Sequence, residues 1–331
     1  MHLLLFTIWN SIHALGWHGA FELLRDGIIL GSMYALVALG YSLVYGILKL
    51  LNFAPGDVFM VGAFMGYGVL SVLGGSLYPP MAPILGTVPL LIVMFLVAML
   101  GTGALGVAIE RFAYRPLRNA PRIAPLISAL GVAFFLESSV QLLTNSAHYQ
   151  YGSFPVFNSL IQPAFSFHIE GVLEPVNIIG LVVIGSSIAL MLALLYLVNR
   201  TRLGKAMRAT AFDREAANMM GIDTDRVISA TFFIGSALAG AAGVMYGLQF
   251  SDISYLVGFT FGLKAFTAAV IGGIGSIEGA MLGGLLVGLV ENFSSGYAGG
   301  QWRDVVVFAL LIGFLIVRPT GILGKQAIQK V

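Results

Sequence analysis

The chain has no cysteine among its 331 residues and little charge: 10 % of its residues are charged and 58 % are hydrophobic. The absence of cysteine excludes a disulfide framework, a thiol nucleophile and a Cys-ligated metal. It leaves the redox compartment unconstrained. The formal net charge of +2 is too small to indicate an anionic partner by itself.

Motifs for metal or nucleotide chemistry are also missing. The five histidines are never three or four residues apart, and the sequence has no HExxH motif and no carboxylate cluster suited to a metal. The Gly-Lys pairs at 204–205 and 324–325 lack the preceding glycine and the following hydroxyl residue of a phosphate loop. We therefore expect a protein that is not an enzyme, binds no metal and hydrolyses no nucleotide.

Apolar sequence is what the chain has in quantity. Strong apolar segments occupy 27–48, 58–73, 84–109, 123–143, 177–198, 227–249 and 304–317, and a glycine-rich segment occupies 259–291. Several approach the roughly 18 to 20 residues that span a bilayer as a helix. Their Gly, Ala and Ser content is typical of closely packed membrane helices, and they lack the alternation of transmembrane strands. The predicted fold class is all-α, a polytopic transmembrane helical bundle.

Basic residues predict the orientation of the bundle. Most of the 17 Lys and Arg residues lie at 111–122, at 200–226 and in the tail after 317, so these regions should be cytoplasmic. This topology explains the basic clusters, so no nucleic-acid partner is expected. The connection 144–176 has no Lys or Arg, is rich in aromatics and should face outward. Glu110, at a cytoplasmic helix end, is expected to join an interfacial ion pair.

The glycine-rich segment conflicts with this orientation if it crosses once, because the basic tail would then lie outside. The conflict disappears if the segment enters the membrane and returns as two pieces of about 13 residues, each too short to span comfortably. Broken backbone at membrane depth is tolerated only against protein or a watery cavity. The break therefore supplies candidate residues for a translocation path: Gly272, Gly273, Gly275 and Glu278. An ordinary kinked helix is the alternative.

A second interruption, in "LLNFAPGDVFMVGAFMG", supplies Asn52 and Asp57 as further path candidates. Asp57 precedes Gly62 by five residues, as Glu278 precedes Gly283, which suggests a distant internal repeat. Paired interruptions in two halves indicate a transport site, and a polar turn between two helices is the alternative.

Ionisable residues within apolar runs are the remaining candidates for a path, and here they are Glu137 and Glu291. Alternatively, Glu137 is hydrated near the outer surface or bonded to a neighbouring Ser or Gln.

One cytoplasmic stretch, "FDREAANMMGID", is unusually polar for this chain. On a helix, Phe212, Ala216 and Met219 would form one apolar stripe that needs a surface, either lipid headgroups or a protein groove. "EAANMMG", Glu215 to Gly221, is similar to the EAAxxxG core by which permeases of bacterial ABC importers dock on their ATPases.

Six stretches between about residues 27 and 324 extend this likeness. They are "GSMYALVALGYSLVYGILKLLNFAPGD", "IERFAYRPLR", "LISALGVAFFLE", "LGKAMRATAFDREAANMMGID", "KAFTAAVIGGIGSIEGAMLGGLLVGLVE" and "DVVVFALLIGFLIVRPTGILG". Together they resemble the LivH-type permease of high-affinity branched-chain amino acid importers. The chain departs from that family at Pro55, where His is usual, and at Glu278, where Pro is usual.

The resemblance implies a multi-pass protein of the bacterial inner membrane. It would work with a second, LivM-like permease, two cytoplasmic ATPase subunits that bind the ATP, and an extracytoplasmic amino-acid-binding protein. The docking role carries over to Phe212, Glu215, Ala216, Ala217 and Gly221.

The implied organisation is an N-terminal extension at 1–20 and a single permease domain at 21–331, with its docking loop at 200–226 and an outer loop at 144–176. Residues 1–20 lack a basic start and are expected to form a short interfacial or partly inserted helix rather than a signal peptide. Phe154 and Phe157 are expected to contact the binding protein. Alternative substrates are urea, short-chain amides and other amino acids, and a less favoured function is an ion-coupled secondary transporter.

Overall fold

The computed structural model describes residues 2–49, 52–73, 86–118, 120–121, 123–154, 163–169 and 172–324. Helices dominate these residues, and the predicted helical bundle is confirmed. In chain order the α-helices are α1 (His2–Leu48), α2 (Ala54–Leu73), α3 (Thr87–Ile109), α4 (Ile123–Thr144), α5 (Ile178–Arg200), α6 (Arg202–Phe212), α7 (Arg214–Met219), α8 (Thr224–Phe250), α9 (Val257–Gly272), α10 (Ile277–Ala298) and α11 (Arg303–Val317).

The helices of the described residues include eight that are long and apolar enough to cross a membrane. The chain is therefore a multi-pass membrane protein. The three described α-helices that are too short to cross a membrane by this criterion are α6, α7 and α9. Large apolar side chains on α4, α5 and α11 remain exposed, as expected of helices that face lipid or another membrane subunit.

Helix α1 is continuous over 47 residues. The expectation of a separate short helix within residues 1–20 is therefore wrong. The physical reason is that no proline interrupts the segment before Leu48, so the backbone hydrogen bonds run on into the buried part of the helix.

Helices α1 and α8 form the centre of the bundle. The part of α1 from Ile29 to Val44 is almost entirely buried, as is most of α8. The two helices approach closely where a Cβ on Gly40 would lie 2.9 Å from the carbonyl oxygen of Gly235. Around this centre, α1 packs mainly against α10, and α8 packs against α2 and α3.

The glycine-rich segment breaks where the sequence predicted. Helix α9 ends at Gly272, Gly273 and Gly275 have positive φ values of 105° and 90°, and Ser276 caps α10 by accepting a hydrogen bond from Gly279 N at 3.1 Å. Helices α9 and α10 then pack on each other as a hairpin.

The predicted length of the two pieces is wrong, because they have 16 and 22 residues, and α10 is long enough to span a membrane. Polar Glu291 does not end α10, because it is buried against partners on α1 and α9.

The interruption before α2 is shorter than expected. Helix α2 begins at Ala54 rather than near residue 58, so Pro55 and Asp57 lie in its first turn. Proline is tolerated there because its missing N–H has no partner inside the helix. The Asn52 side chain accepts a hydrogen bond from Ala54 N at 3.0 Å and caps this turn.

The few strands of the described residues lie in the outer connection, apart from a short one that follows α8. The strand β1 (Tyr149–Gln150) pairs antiparallel with β4 (Asp252–Ile253), and β2 (Pro163–Ile169) pairs with β3 (Val172–Asn177). Tyr151 is buried and donates a hydrogen bond to the Ala63 carbonyl at 2.6 Å. The expectation that Phe154 is available to a binding protein is wrong, because its side chain is buried against Tyr67; Phe157 lies outside the described residues.

Candidate functional site

The basic connection at 200–226 folds into two helices, α6 and α7, instead of one. Asp213 separates them with an extended backbone and caps α7 by accepting a hydrogen bond from Ala216 N at 3.0 Å. The predicted single stripe of Phe212, Ala216 and Met219 is therefore wrong, because Phe212 ends α6 whereas the other two residues belong to α7.

Helix α7 ends in a Schellman cap. Gly221 has a φ of 82°, Ile222 N donates to the Ala217 carbonyl at 3.1 Å, and Gly221 N donates to the Asn218 carbonyl at 3.0 Å. Ala217 is buried and Glu215 is exposed. Of the large apolar side chains here, Phe212 is 86 % exposed, and Met219 and Met220 are each 82 % exposed. The two helices therefore present an apolar surface on an otherwise polar loop.

An ionic cluster ties this loop to the bundle. Asp225, in the first turn of α8, accepts hydrogen bonds from Arg115 at 2.6 Å, from Arg118 at 2.5 Å and from Arg214 on α7 at 3.2 Å. Arg118 also pairs with Glu110. Each exposed pair contributes little alone, but one carboxylate shared by three guanidinium groups holds three chain segments together.

Glu110 and Tyr114 lie on a π-helical turn, Glu110–Tyr114, that continues α3. Glu110 is 1 % exposed and accepts a hydrogen bond from the Ser229 hydroxyl at 2.7 Å. The predicted ion pair of Glu110 is thus confirmed, with Arg118 as its partner. Single π-helical turns are common at functional sites, and this one directs both Glu110 and Tyr114 inward.

Tyr114 connects the π-helical turn to the start of α2. Its phenol donates a hydrogen bond of 2.5 Å to Asn52 Oδ1, the same oxygen that caps α2. A chain of contacts therefore connects α7 to α2. Arg214 binds Asp225, Asp225 binds Arg115 and Arg118 of the 110–118 segment, and Tyr114 of that segment binds Asn52. No sequence pattern pointed to Tyr114 or Asp225, because Asn52 lies 62 residues from Tyr114, and Arg115 and Arg118 lie more than 100 residues from Asp225.

A small apolar cavity of about 120 Å³ brings together two of the predicted path residues, Asp57 and Glu137. Asp57 is 4 % exposed, and its Oδ1 has no hydrogen-bond partner among the described residues. Glu137 is half-buried. One wall is α9, which approaches α2 so closely that a Cβ on Gly262 would lie 2.8 Å from Gly56 Cα.

The other predicted path residues lie elsewhere. Gly272, Gly273 and Gly275 belong to the turn between α9 and α10, where Leu323 N donates to the Gly272 carbonyl at 3.0 Å. Glu278 is exposed in the first turn of α10. These four residues therefore form a group of their own near the end of α1 and do not line the cavity that holds Asp57.

A larger cavity of about 300 Å³ lies between α1, α8, α9, α10 and α11. At its base the Lys264 ammonium is 2.7 Å from Glu291 Oε1, and Tyr34 donates a hydrogen bond to Glu291 Oε2 at 2.7 Å. Glu291 was a candidate from the sequence, whereas Lys264 was not predicted. The available signal was a single lysine inside the apolar segment 259–291.

Known proteins match almost the whole chain. Residues 23–315 match the family model described as branched-chain amino acid transport system / permease component. The chain is 42 % identical over 315 residues to the high-affinity branched-chain amino acid transport system permease protein BraD of Pseudomonas aeruginosa, covering 93 % of this chain and 97 % of BraD.

Two further relatives extend the comparison. The LivH permease protein of Escherichia coli K12 is 43 % identical over 307 residues, covering 92 % of this chain and 96 % of that protein. A probable LivH of Methanocaldococcus jannaschii is 26 % identical over 309 residues, covering 91 % and 92 %. No solved structure matches the chain. The coverage and identity show that this chain belongs to the family of permease components of branched-chain amino acid transport systems.

Proposed function

We propose that this chain is one permease subunit of an ATP-driven importer of branched-chain amino acids in a bacterial inner membrane. It pairs with a second permease and two cytoplasmic ATPases and receives substrate from an extracytoplasmic binding protein. The substrate class rests on the relatives BraD and LivH, which are named as branched-chain amino acid transport permeases. The chain itself binds no ATP in this proposal.

The observation that carries the coupling part of the proposal is the exposed apolar surface of α6 and α7. Phe212, Met219 and Met220 expose large side chains there, and Glu215 is exposed as well. Such a surface suits the groove of a water-soluble partner, since isolated apolar patches of this kind are characteristic of interaction sites. Ala216, Ala217 and Gly221 shape the short helix that presents it.

The link from α7 to α2 gives docking a mechanical consequence. A displacement of α7 pulls on Asp225 through Arg214, and Asp225 also holds Arg115 and Arg118. The π-helical turn then transmits the displacement through Tyr114 to Asn52 and to the first turn of α2. Asp57 lies in that turn and faces Glu137, so movement there changes the cavity that these two candidate path residues line.

The turn between α9 and α10 is the second candidate element of the path. Gly272, Gly273, Gly275 and Glu278 lie where the C-terminal segment packs on the hairpin. In the proposed cycle this turn is the hinge at the inner side of the path. The Asp57 cavity forms part of the wall of the path. A hinge needs backbone freedom, and glycine supplies it. Gly273 and Gly275 already adopt positive φ angles in this turn.

The experiment that tests the proposal is purification of the chain from its native membrane in mild detergent, followed by reconstitution with the proteins that accompany it. Two ATPases, a second permease and ATP-dependent leucine uptake are the expected result. The same partners with uptake of urea, amides or other amino acids in place of leucine would overturn the substrate assignment alone. A chain that purifies alone and transports in response to an ion gradient would overturn the importer assignment.

A further inference from the structure

The cavity of about 300 Å³ is lined by a cluster of four charged groups and, apart from it, by Asp26, which pairs with Arg25 at 2.9 Å. Lys264 Nζ is 2.7 Å from both Glu291 Oε1 and Asp304 Oδ1, and Arg303 Nε is 3.1 Å from the same Glu291 oxygen. Glu291 and Lys264 are buried, whereas Arg303 and Asp304 are at least half exposed. The group thus extends from the interior of the bundle to its surface.

The position of the cavity relates it to the outer side of the protein. Its rim includes Gln249 and Phe250, at the end of α8, and Arg303, at the start of α11. The residue after Phe250 leads into β4, which pairs with β1 of the outer connection. The cavity therefore opens at the end of the bundle opposite to α6 and α7, and its floor is the Lys264–Glu291 pair.

The charges balance, and this restricts the ligands that fit. Within the cluster two cations face two carboxylates, and the fifth charged group, Asp26, is compensated by Arg25, so neither a lone anion nor a lone cation finds an uncompensated partner. A molecule that carries both an ammonium and a carboxylate can bind the cations and the carboxylates of the cluster at the same time. Each ion pair that it separates is then replaced by an equivalent ion pair with the ligand. Buried charges are costly unless such contacts are complete, so a zwitterion is the ligand class that the group favours.

One part of the remaining wall is apolar and aromatic, and the other part is polar, with Gln249, Thr260, Asn292 and Ser295. Ile29, Leu30, Val257 and Phe261 line the apolar part beside the charged group, and Tyr246 lies next to Phe261 with ring centroids 5.6 Å apart. Ligand sites typically combine such walls with a few polar groups, and this volume is at the lower end of their range of roughly 300 to 1,000 Å³. A small aliphatic side chain suits that wall.

We propose that this cavity binds a free α-amino acid, with its carboxylate on Lys264 and Arg303, its ammonium on Glu291 and Asp304, and its side chain against the apolar wall. The inference rests on the proposed function and deepens it, because it places substrate recognition in the permease as well as in the binding protein. The ligand would arrive from the outer end and would separate the Lys264–Glu291 pair when it binds.

Two variants of the reconstituted importer test the site in different ways. Thr260→Trp fills the cavity from its wall without removing a charge, because Thr260 lines the cavity but belongs to none of the ion pairs. The double variant Lys264→Met/Glu291→Gln removes one charge of each sign and so leaves no unpaired buried ion. Val305→Trp is the matched control, because Val305 is 54 % exposed and lies outside the cavity lining.

Leucine uptake into proteoliposomes and ATP hydrolysis stimulated by the loaded binding protein are measured together. We expect both test variants to lose uptake about tenfold or more, since charge-assisted contacts are lost or blocked, while stimulated hydrolysis stays near that of the unmodified complex. The Val305→Trp complex should match the unmodified one in both. In the unmodified complex, leucinamide and isocaproate, which each lack one charge of the zwitterion, should compete poorly with leucine.

Uptake at the unmodified level in Thr260→Trp and in the double variant would overturn the site. Loss of hydrolysis together with uptake in both variants would also overturn it, because the cluster would then serve assembly or coupling. An unmodified complex that hydrolyses ATP without taking up any amino acid would instead overturn the proposed function, and this inference with it.

Discussion

The phenol of Tyr114 donates a 2.5 Å hydrogen bond to Asn52 Oδ1, which also accepts a 3.0 Å bond from Ala54 N. One amide oxygen thus joins the π-helical turn after α3 to the N-terminus of α2. Tyr114 is buried, so its hydroxyl has no access to water if Asn52 is removed.

The first prediction concerns this hydrogen bond. Asn52→Leu should lower the free energy of unfolding by about 1–3 kcal/mol, because it removes a cap and leaves a buried hydroxyl unpaired. Tyr114→Phe should cost only about 0.5–1.5 kcal/mol, since Asn52 keeps its bond to Ala54. Thermal unfolding in detergent measures both variants, and the double variant gives their coupling. Additive effects in that cycle would show that the two side chains act independently.

The ionic cluster gives a second prediction. Asp225→Asn should leave the complex assembled but reduce uptake per ATP hydrolysed, because the amide cannot hold three guanidinium groups and α7 loses its tie to the 110–118 segment. Asp223→Asn is the control, since asparagine caps a helix as well as aspartate does and Asp223 pairs only with the exposed Arg226 in the described residues. Equal coupling ratios in the two variants would contradict the proposed link.

A third prediction tests the docking surface. Glu215→Lys should weaken the binding of the ATPase subunits while leaving the permease folded, because Glu215 is exposed. Lys205→Glu, a charge reversal at an exposed position of α6, is the control. The co-purification yield measures ATPase binding, and the melting temperature of the permease measures its folding stability. A lowered melting temperature with unchanged ATPase binding would count against docking at Glu215.

The outer connection gives a fourth prediction, revised from the sequence expectation. Phe154→Ala should destabilise the protein by about 3–5 kcal/mol, because a buried aromatic side chain is removed from its contact with Tyr67. Gln150→Arg changes an exposed side chain on β1 and should lower the affinity for the binding protein without changing the melting temperature. If the affinity for the binding protein stays the same in Gln150→Arg, β1 is not part of that contact.

A fifth prediction concerns Asp57. Asp57→Asn should not lower the melting temperature, because the carboxylate Oδ1 has no partner to lose within the described residues. Uptake should nevertheless fall, since residues that break local packing rules without structural benefit are typical of functional sites. Glu137→Gln should lower uptake as well, because Glu137 lines the same cavity. Unchanged uptake in both variants would remove this cavity from the path.

Sequence rules predicted the helices because apolar runs and glycine breaks are each contained in a short stretch of the chain. The break at Gly273 and Gly275 was visible because positive φ angles favour glycine, and most helix bounds were predicted to within a few residues. The same rules failed at Asp213, where a side-chain cap begins a new helix inside one amphipathic pattern. They also failed within residues 1–20, where the helix simply continues.

The sequence by itself determined the class of this protein, because the length and frequency of apolar runs leave no alternative to a membrane bundle, and its motifs resembled the family that the comparisons then confirmed. Only the tertiary structure decided which polar groups meet. Lys264 and Glu291 lie 27 residues apart, and Tyr34 and Glu291 lie 257 apart. Such pairings depend on how helices pack in three dimensions, and no periodicity along a single segment records that packing.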